Sequence, residues 1–86
     1  MSSKNYEILK LCGTGVYKYI PEEETNWNLS KLRLCFDTQN YMGVFLKINY
    51  KNKDISIYKN GTIIFYNQEK TEAMDNCKAV LGIINS

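Results

Sequence analysis

The sequence predicts an α+β fold, an antiparallel sheet with two helices on one face in the order β-α-β-β-β-α. Three observations carry that expectation. Between residues 41 and 66 apolar side chains alternate with a period of two, as strands with one buried face require. Residues 28–37 and 71–84 instead repeat apolar side chains at helical spacing. Asn60-Gly61, between two alternating runs, is a hairpin signal. Two one-sided helices and a sheet with one aliphatic face bury each other as a two-layer sandwich.

Tyr6 to Leu11 is the first strand, and Val16-Tyr17-Lys18-Tyr19-Ile20 either continues it past the Gly13-Thr14-Gly15 break or forms a short second strand. Gly13 and Gly15 lack the third glycine and the following helix of a phosphate loop, so a bend or bulge is expected there. Pro21-Glu22-Glu23-Glu24 is a loop whose acids lie just before a helix N-terminus, which favours negative charge. Thr25, Asn26 or Asn28 can cap that helix. Leu29, Leu32 and Phe36, with Leu34 and Cys35 beside them, give residues 28–37 one buried stripe, and Trp27 anchors the chain as it approaches.

Tyr41 to Tyr50, Lys53 to Tyr58 and Thr62 to Tyr66 read as a three-stranded meander joined by Lys51-Asn52 and Lys59-Asn60-Gly61. A type I′ turn, with positive φ at both central residues, is expected at Asn60-Gly61. One parity set is Met42, Val44, Leu46, Ile48, Ile55, Ile57, Ile63 and Phe65, all apolar, and is the expected core face. The other runs Tyr41, Gly43, Phe45, Lys47, then Asp54, Ser56, Tyr58, then Thr62, Ile64, Tyr66. In the last segment Ala73, Met74, Cys77, Val80, Leu81 and Ile84 make a helical stripe opposed by Glu72, Asp75, Asn76 and Lys78.

Composition narrows the chemistry. Eighty-six residues make one domain, 1–86, able to bury roughly 60–65% of the surface its unfolded chain exposes. With no histidine, the commonest acid/base group and metal ligand is missing, so neither an enzyme nor a metal or other cofactor is expected. Cys12, Cys35 and Cys77 form no C-x-x-C pair and read as thiols of a reducing compartment. With no signal-length apolar run after Met1-Ser2-Ser3-Lys4-Asn5-Tyr6 and nowhere 18 consecutive apolar residues, an intracellular protein, cytoplasmic or nuclear, with no membrane partner is expected. The formal charge of +2 permits contact with a polyanion without announcing it.

With both helices on one face, Tyr41, Phe45, Tyr58, Ile64 and Tyr66, with Lys47 and Ser56 among them, are left on an uncovered one. Tyrosine suits strands, and such rings can simply pair across them. Aromatic rings are also enriched where proteins meet, a second copy of this chain included. On nucleic acid they stack on or wedge between bases while lysines meet phosphates.

The stretches Asn28-Leu29-Ser30-Lys31-Leu32, Tyr41-Met42-Gly43-Val44-Phe45-Leu46-Lys47-Ile48, Ile55-Ser56-Ile57-Tyr58, Asn60-Gly61 and Thr62-Ile63-Ile64-Phe65 together resemble one half-repeat of the TATA-box-binding-protein family. The stretch from Tyr41 to Ile64 is also similar to the single half-repeat domain at the N-terminus of type 3 bacterial ribonuclease H, especially in residues 55–61. The resemblance covers about residues 28–84 and implies a half saddle. It places that family's wedging positions on Tyr41 and Tyr58, its basic groove residue on Lys47, and its small or branched groove-packing residues on Ser56, Ile64 and Tyr66. It implies a non-enzymatic, transcription-factor-like domain that binds DNA or an RNA/DNA hybrid, as a homodimer that rebuilds the two-part saddle. The alternative is a protein-interaction module of the same fold that does not bind nucleic acid.

Overall fold

The computed structural model describes residues 10–11, 15–21 and 23–85. The elements are β1 (Lys10–Leu11), β2 (Val16–Tyr19), α1 (Leu29–Leu32), β3 (Asp37–Tyr41), β4 (Phe45–Tyr50), β5 (Lys53–Tyr58), β6 (Ile63–Tyr66) and α2 (Lys70–Ile84). All strand pairings are antiparallel, in the order β1-β2-β6-β5-β4-β3. The α+β class is as expected. Val16–Tyr19 is a second strand, turned back against Lys10–Leu11, and the rest of the Tyr6–Leu11 expectation, like Cys12, lies outside the described residues.

Four strands, not three, separate the helices. The expected 28–37 helix stops at Leu32, and Asp37–Tyr41 is an edge strand instead. Asn28 is the cap, its side-chain oxygen accepting the Lys31 N–H at 3.3 Å. At the other end the Thr38 hydroxyl donates to the Arg33 carbonyl at 2.8 Å, an acceptor that a longer helix would use internally. Leu29 and Leu32 are still buried and Phe36 packs against the same core, but Leu34 is 81% exposed and Cys35 is exposed, so only part of the expected apolar segment is buried. Asp-Thr-Gln-Asn-Tyr carries no alternation because an edge strand with little cover has few apolar positions to fill.

Tyr41–Tyr50 is consequently two strands and a turn. Met42, Gly43 and Val44 form the bend, with Gly43 at φ +84° and the Met42 N–H donating to the Phe45 carbonyl at 3.0 Å. Met42 and Val44, expected in the core, are 59% and 65% exposed. The six remaining members of the expected core set, Leu46, Ile48, Ile55, Ile57, Ile63 and Phe65, are each 0% exposed. They form one cluster with Leu29 and Leu32 of α1 and Ala73, Cys77, Val80 and Leu81 of α2.

The two hairpin turns exchange roles. Positive φ at both central residues occurs at Lys51 (53°) and Asn52 (66°), which is the type I′ pattern. At the Asn60-Gly61 hairpin only Gly61 has positive φ (97°), and Gly61 N–H donates to Tyr58 O at 3.0 Å. That is a three-residue loop closed by a left-handed glycine, not the expected I′ turn. Gly61 is needed for a second reason: a Cβ there would lie 2.8 Å from Pro21 Cγ and 2.9 Å from Thr25 Cβ. Pro21 and Thr25 are packed directly on this turn.

Helix α2 runs one residue earlier than the predicted 71–84. Asn76, assigned to its polar face, is buried, its side-chain amide donating to Gln68 Oε1 at 3.0 Å. Gln68 Nε2 is buried and has no hydrogen-bond partner among the described residues. No helix among the described residues is long and apolar enough to cross a membrane.

Candidate nucleic-acid interface

Directly paired residues in a sheet point to the same side, so the register sorts every strand. Leu46 pairs with Ile57, Ile48 with Ile55, and Ile57 with Ile63, on the core side. Phe45 pairs with Tyr58, Lys47 with Ser56, Ser56 with Ile64, and Ile64 with Lys18, on the opposite side. Tyr66 joins them through Val16, Asp54 through Asn49, and Asn40 through Lys47. Six of the seven expected site residues, Phe45, Lys47, Ser56, Tyr58, Ile64 and Tyr66, therefore share one face.

Tyr41 does not join them. It pairs with Leu46 and so points to the core side. The reversal at Met42–Val44 is the cause: in one continuous strand Tyr41 and Phe45 would have shared a face, but the turn sets them on different strands. Tyr41 lies instead with its ring 5.2 Å from the Arg33 guanidinium carbon, a cation–π contact, beside a hollow of about 310 Å³ that Trp27 and Lys59 also line. The Trp27 side chain packs against the core and its backbone N–H donates to Lys59 O at 2.8 Å, the anchoring expected of it.

The opposite face holds a trough of about 460 Å³. Phe45, Lys47, Ser56, Tyr58 and Tyr66 line it, and so do Asn40, Asp54 and Asn67. Phe45 and Tyr58 stack on each other, ring centroids 5.5 Å apart at 26°, so they are paired with each other rather than standing as two free wedges. Ser56 is buried although no helix residue is needed to cover it, because a short side chain sits between Lys47 and Ile64 on the flanking strands and Asp54 and Tyr58 on its own. Ile64 faces the same way beside the trough.

Opposite charges share this side. Lys18 and Lys47 are matched by Asp54 and, through its pairing with Asn49, by Asp37. Lys47 and Asp54 line the same trough, yet among the described residues neither makes an ion pair within 4 Å. Asp54 was visible by parity. Asn40 was hidden by the helix assignment that preceded it, and Asn67, at φ 57°, by the end of its strand. Among the described residues no three His, Cys, Asp or Glu side chains converge as metal ligands. Burial pushes the Cys77 thiol up to about 12, which keeps it neutral and unreactive, whereas Cys35 is exposed.

Compared with protein-family models, with curated proteins and with solved structures, the chain matches none of them.

Proposed function

We propose that the chain is a non-enzymatic, transcription-factor-like nucleic-acid-binding domain, a single half-repeat of the TATA-box-binding-protein-like fold, that works through the sheet face opposite the helical core. The observation that carries this reading is the half-buried, stacked Phe45–Tyr58 pair bordering a trough that also holds Lys47. Stacked rings offer a base a flat apolar partner, and each base stacked on an aromatic side chain contributes about 1–3 kcal/mol by alanine substitution. Lys47 then meets a phosphate or a base edge. Ser56, Ile64 and Tyr66 complete the contact surface. Two copies acting together would extend that surface as a homodimer.

Fluorescence anisotropy with labelled single-stranded DNA, duplex DNA and RNA/DNA hybrid at low salt tests the reading. Tyr58→Ala should weaken binding at least about tenfold, in line with the loss of one stacked base. Lys47→Ala should lower the salt dependence by about one phosphate's worth. Binding of all three probes unchanged in both variants would sink it.

The balance of Lys18 and Lys47 against Asp37 and Asp54 favours a second reading, a protein-interaction module that uses the same face for a polypeptide or its own twin. Gel filtration with and without a nucleic-acid probe separates the two: a dimer unaffected by the probe and broken by Tyr58→Glu belongs to the second.

A further inference from the structure

We infer that the trough is a guanine-reading site for single-stranded nucleic acid, with Asp54 as its specificity-determining residue; the inference rests on the nucleic-acid reading above. Lys47 and Asp54 carry opposite charges, line one trough and do not pair with each other. They stand on neighbouring strands: Lys47 pairs directly with Ser56, and Asp54 lies two residues before Ser56 on β5, so the two are diagonal neighbours. A diagonal cross-strand spacing of roughly 7–8 Å leaves room for a flat ring system between two such side chains. A ligand that fits must be planar, to lie against Phe45 and Tyr58, and must present donors to the carboxylate and acceptors to the ammonium.

Among the bases that description selects guanine. A carboxylate accepts only. Guanine sets two donors side by side on its Watson–Crick edge, N1–H and the N2 amine, to match the two oxygens of Asp54, while O6 and N7 accept from Lys47. Adenine and cytosine each set a ring acceptor beside their amine, which would face the carboxylate and repel it. Thymine and uracil flank their single N–H with two carbonyls. The base must be unpaired to offer this edge, which selects single strands over duplex. The acid that repels a phosphate backbone is thereby the group that reads the base.

The test measures affinity of the whole chain for an eleven-nucleotide oligo(dT) whose central position is dT, dG, dA or inosine, which lacks the N2 amine. The dG strand should bind about tenfold tighter than the other three. In Asp54→Asn, which keeps the shape of the side chain, that preference should shrink below about twofold while affinity for the all-dT strand is kept or rises; circular dichroism verifies that the variant is folded. If the parent binds all four strands alike and Tyr58→Ala still weakens each, nucleic-acid binding stands and the guanine assignment falls. If the parent binds none of them, the guanine assignment falls, and the nucleic-acid reading falls with it when the duplex and hybrid probes are not bound either. A dG preference undiminished in folded Asp54→Asn overturns the role of Asp54.

Discussion

The two sides of strands β4 to β6 are built from the same backbone and differ in what their side chains accept as neighbours. On one side Leu46, Ile48, Ile55, Ile57, Ile63 and Phe65 are fully enclosed, joined by apolar residues of both helices. On the other, Phe45, Lys47, Tyr58, Ile64 and Tyr66 are half-buried and Ser56 is shielded by its taller neighbours. The first side is sufficient to hold the domain. Its aliphatic surface has no polar atom to satisfy and gains about 25 cal/mol for each Å² removed from water. The second combines aromatic rings with charges of both signs, a mixture that adds little to a core and much to recognition.

Adjacent residues Phe65 and Tyr66 offer the sharpest way to break that contrast, because they lie one position apart on β6 and point to opposite sides. Phe65→Ala should cost about 3–5 kcal/mol of unfolding free energy, enough to threaten folding of a domain this small. Tyr66→Ala should cost no more than about 1 kcal/mol, the loss of cross-strand contacts on an open face. Urea denaturation followed by circular dichroism measures both. Equal losses would mean that the second face is a core in its own right.

Separation of the two sides depends on register, and a one-residue slip exchanges them. Gly61 guards the register at the β5–β6 turn. Gly61→Ala should cost about 1–3 kcal/mol, from the left-handed conformation and from the close approach of Pro21 and Thr25. Gly43 also has positive φ but an added Cβ there meets nothing within 4 Å, so Gly43→Ala should cost less in the same denaturation series. A larger loss at Gly43 than at Gly61 would show that the packing of Pro21 and Thr25 is not what constrains the turn.

The same contrast explains which parts were legible from the sequence. Strict alternation identified the core face from Leu46 to Phe65, and burial answers to little else. Asp37–Tyr41 could not be read this way, since five largely exposed edge residues leave no apolar period. Its neighbour Gly43 held the missing signal. A glycine in the middle of an alternating run marks a bend as readily as a strand, and reading it as a bend would have moved Tyr41 off the open face. Asn60-Gly61 did mark a hairpin, but the dipeptide does not fix the loop length: Lys59 joins the loop, Gly61 alone takes positive φ, and Pro21 and Thr25 pack against it from elsewhere in the chain. Asn76 was assigned to solvent on polarity alone, because its partner Gln68 comes from the β6–α2 connection.

Cys77 reports on the dryness of the helical side with the smallest expected effect. Its thiol is enclosed by the core, and desolvation of the thiolate raises its pKa from 9.0 to about 12. A raised folded-state value means that the folded chain holds the proton more tightly than the unfolded chain. The resulting stability is fully present below pH 9 and is lost progressively as the pH rises towards about 12. Cys77→Ala removes that slope. Between pH 7 and 9 its stability should differ from the parent by a nearly constant cavity loss, and above pH 9 the gap should narrow. Tyrosines and lysines titrate in the same window but do so in both proteins, so the difference isolates the thiol. A gap that stays constant up to pH 11 would show that water reaches Cys77, and that the helical side of the sheet is less tightly closed than its six fully enclosed residues imply.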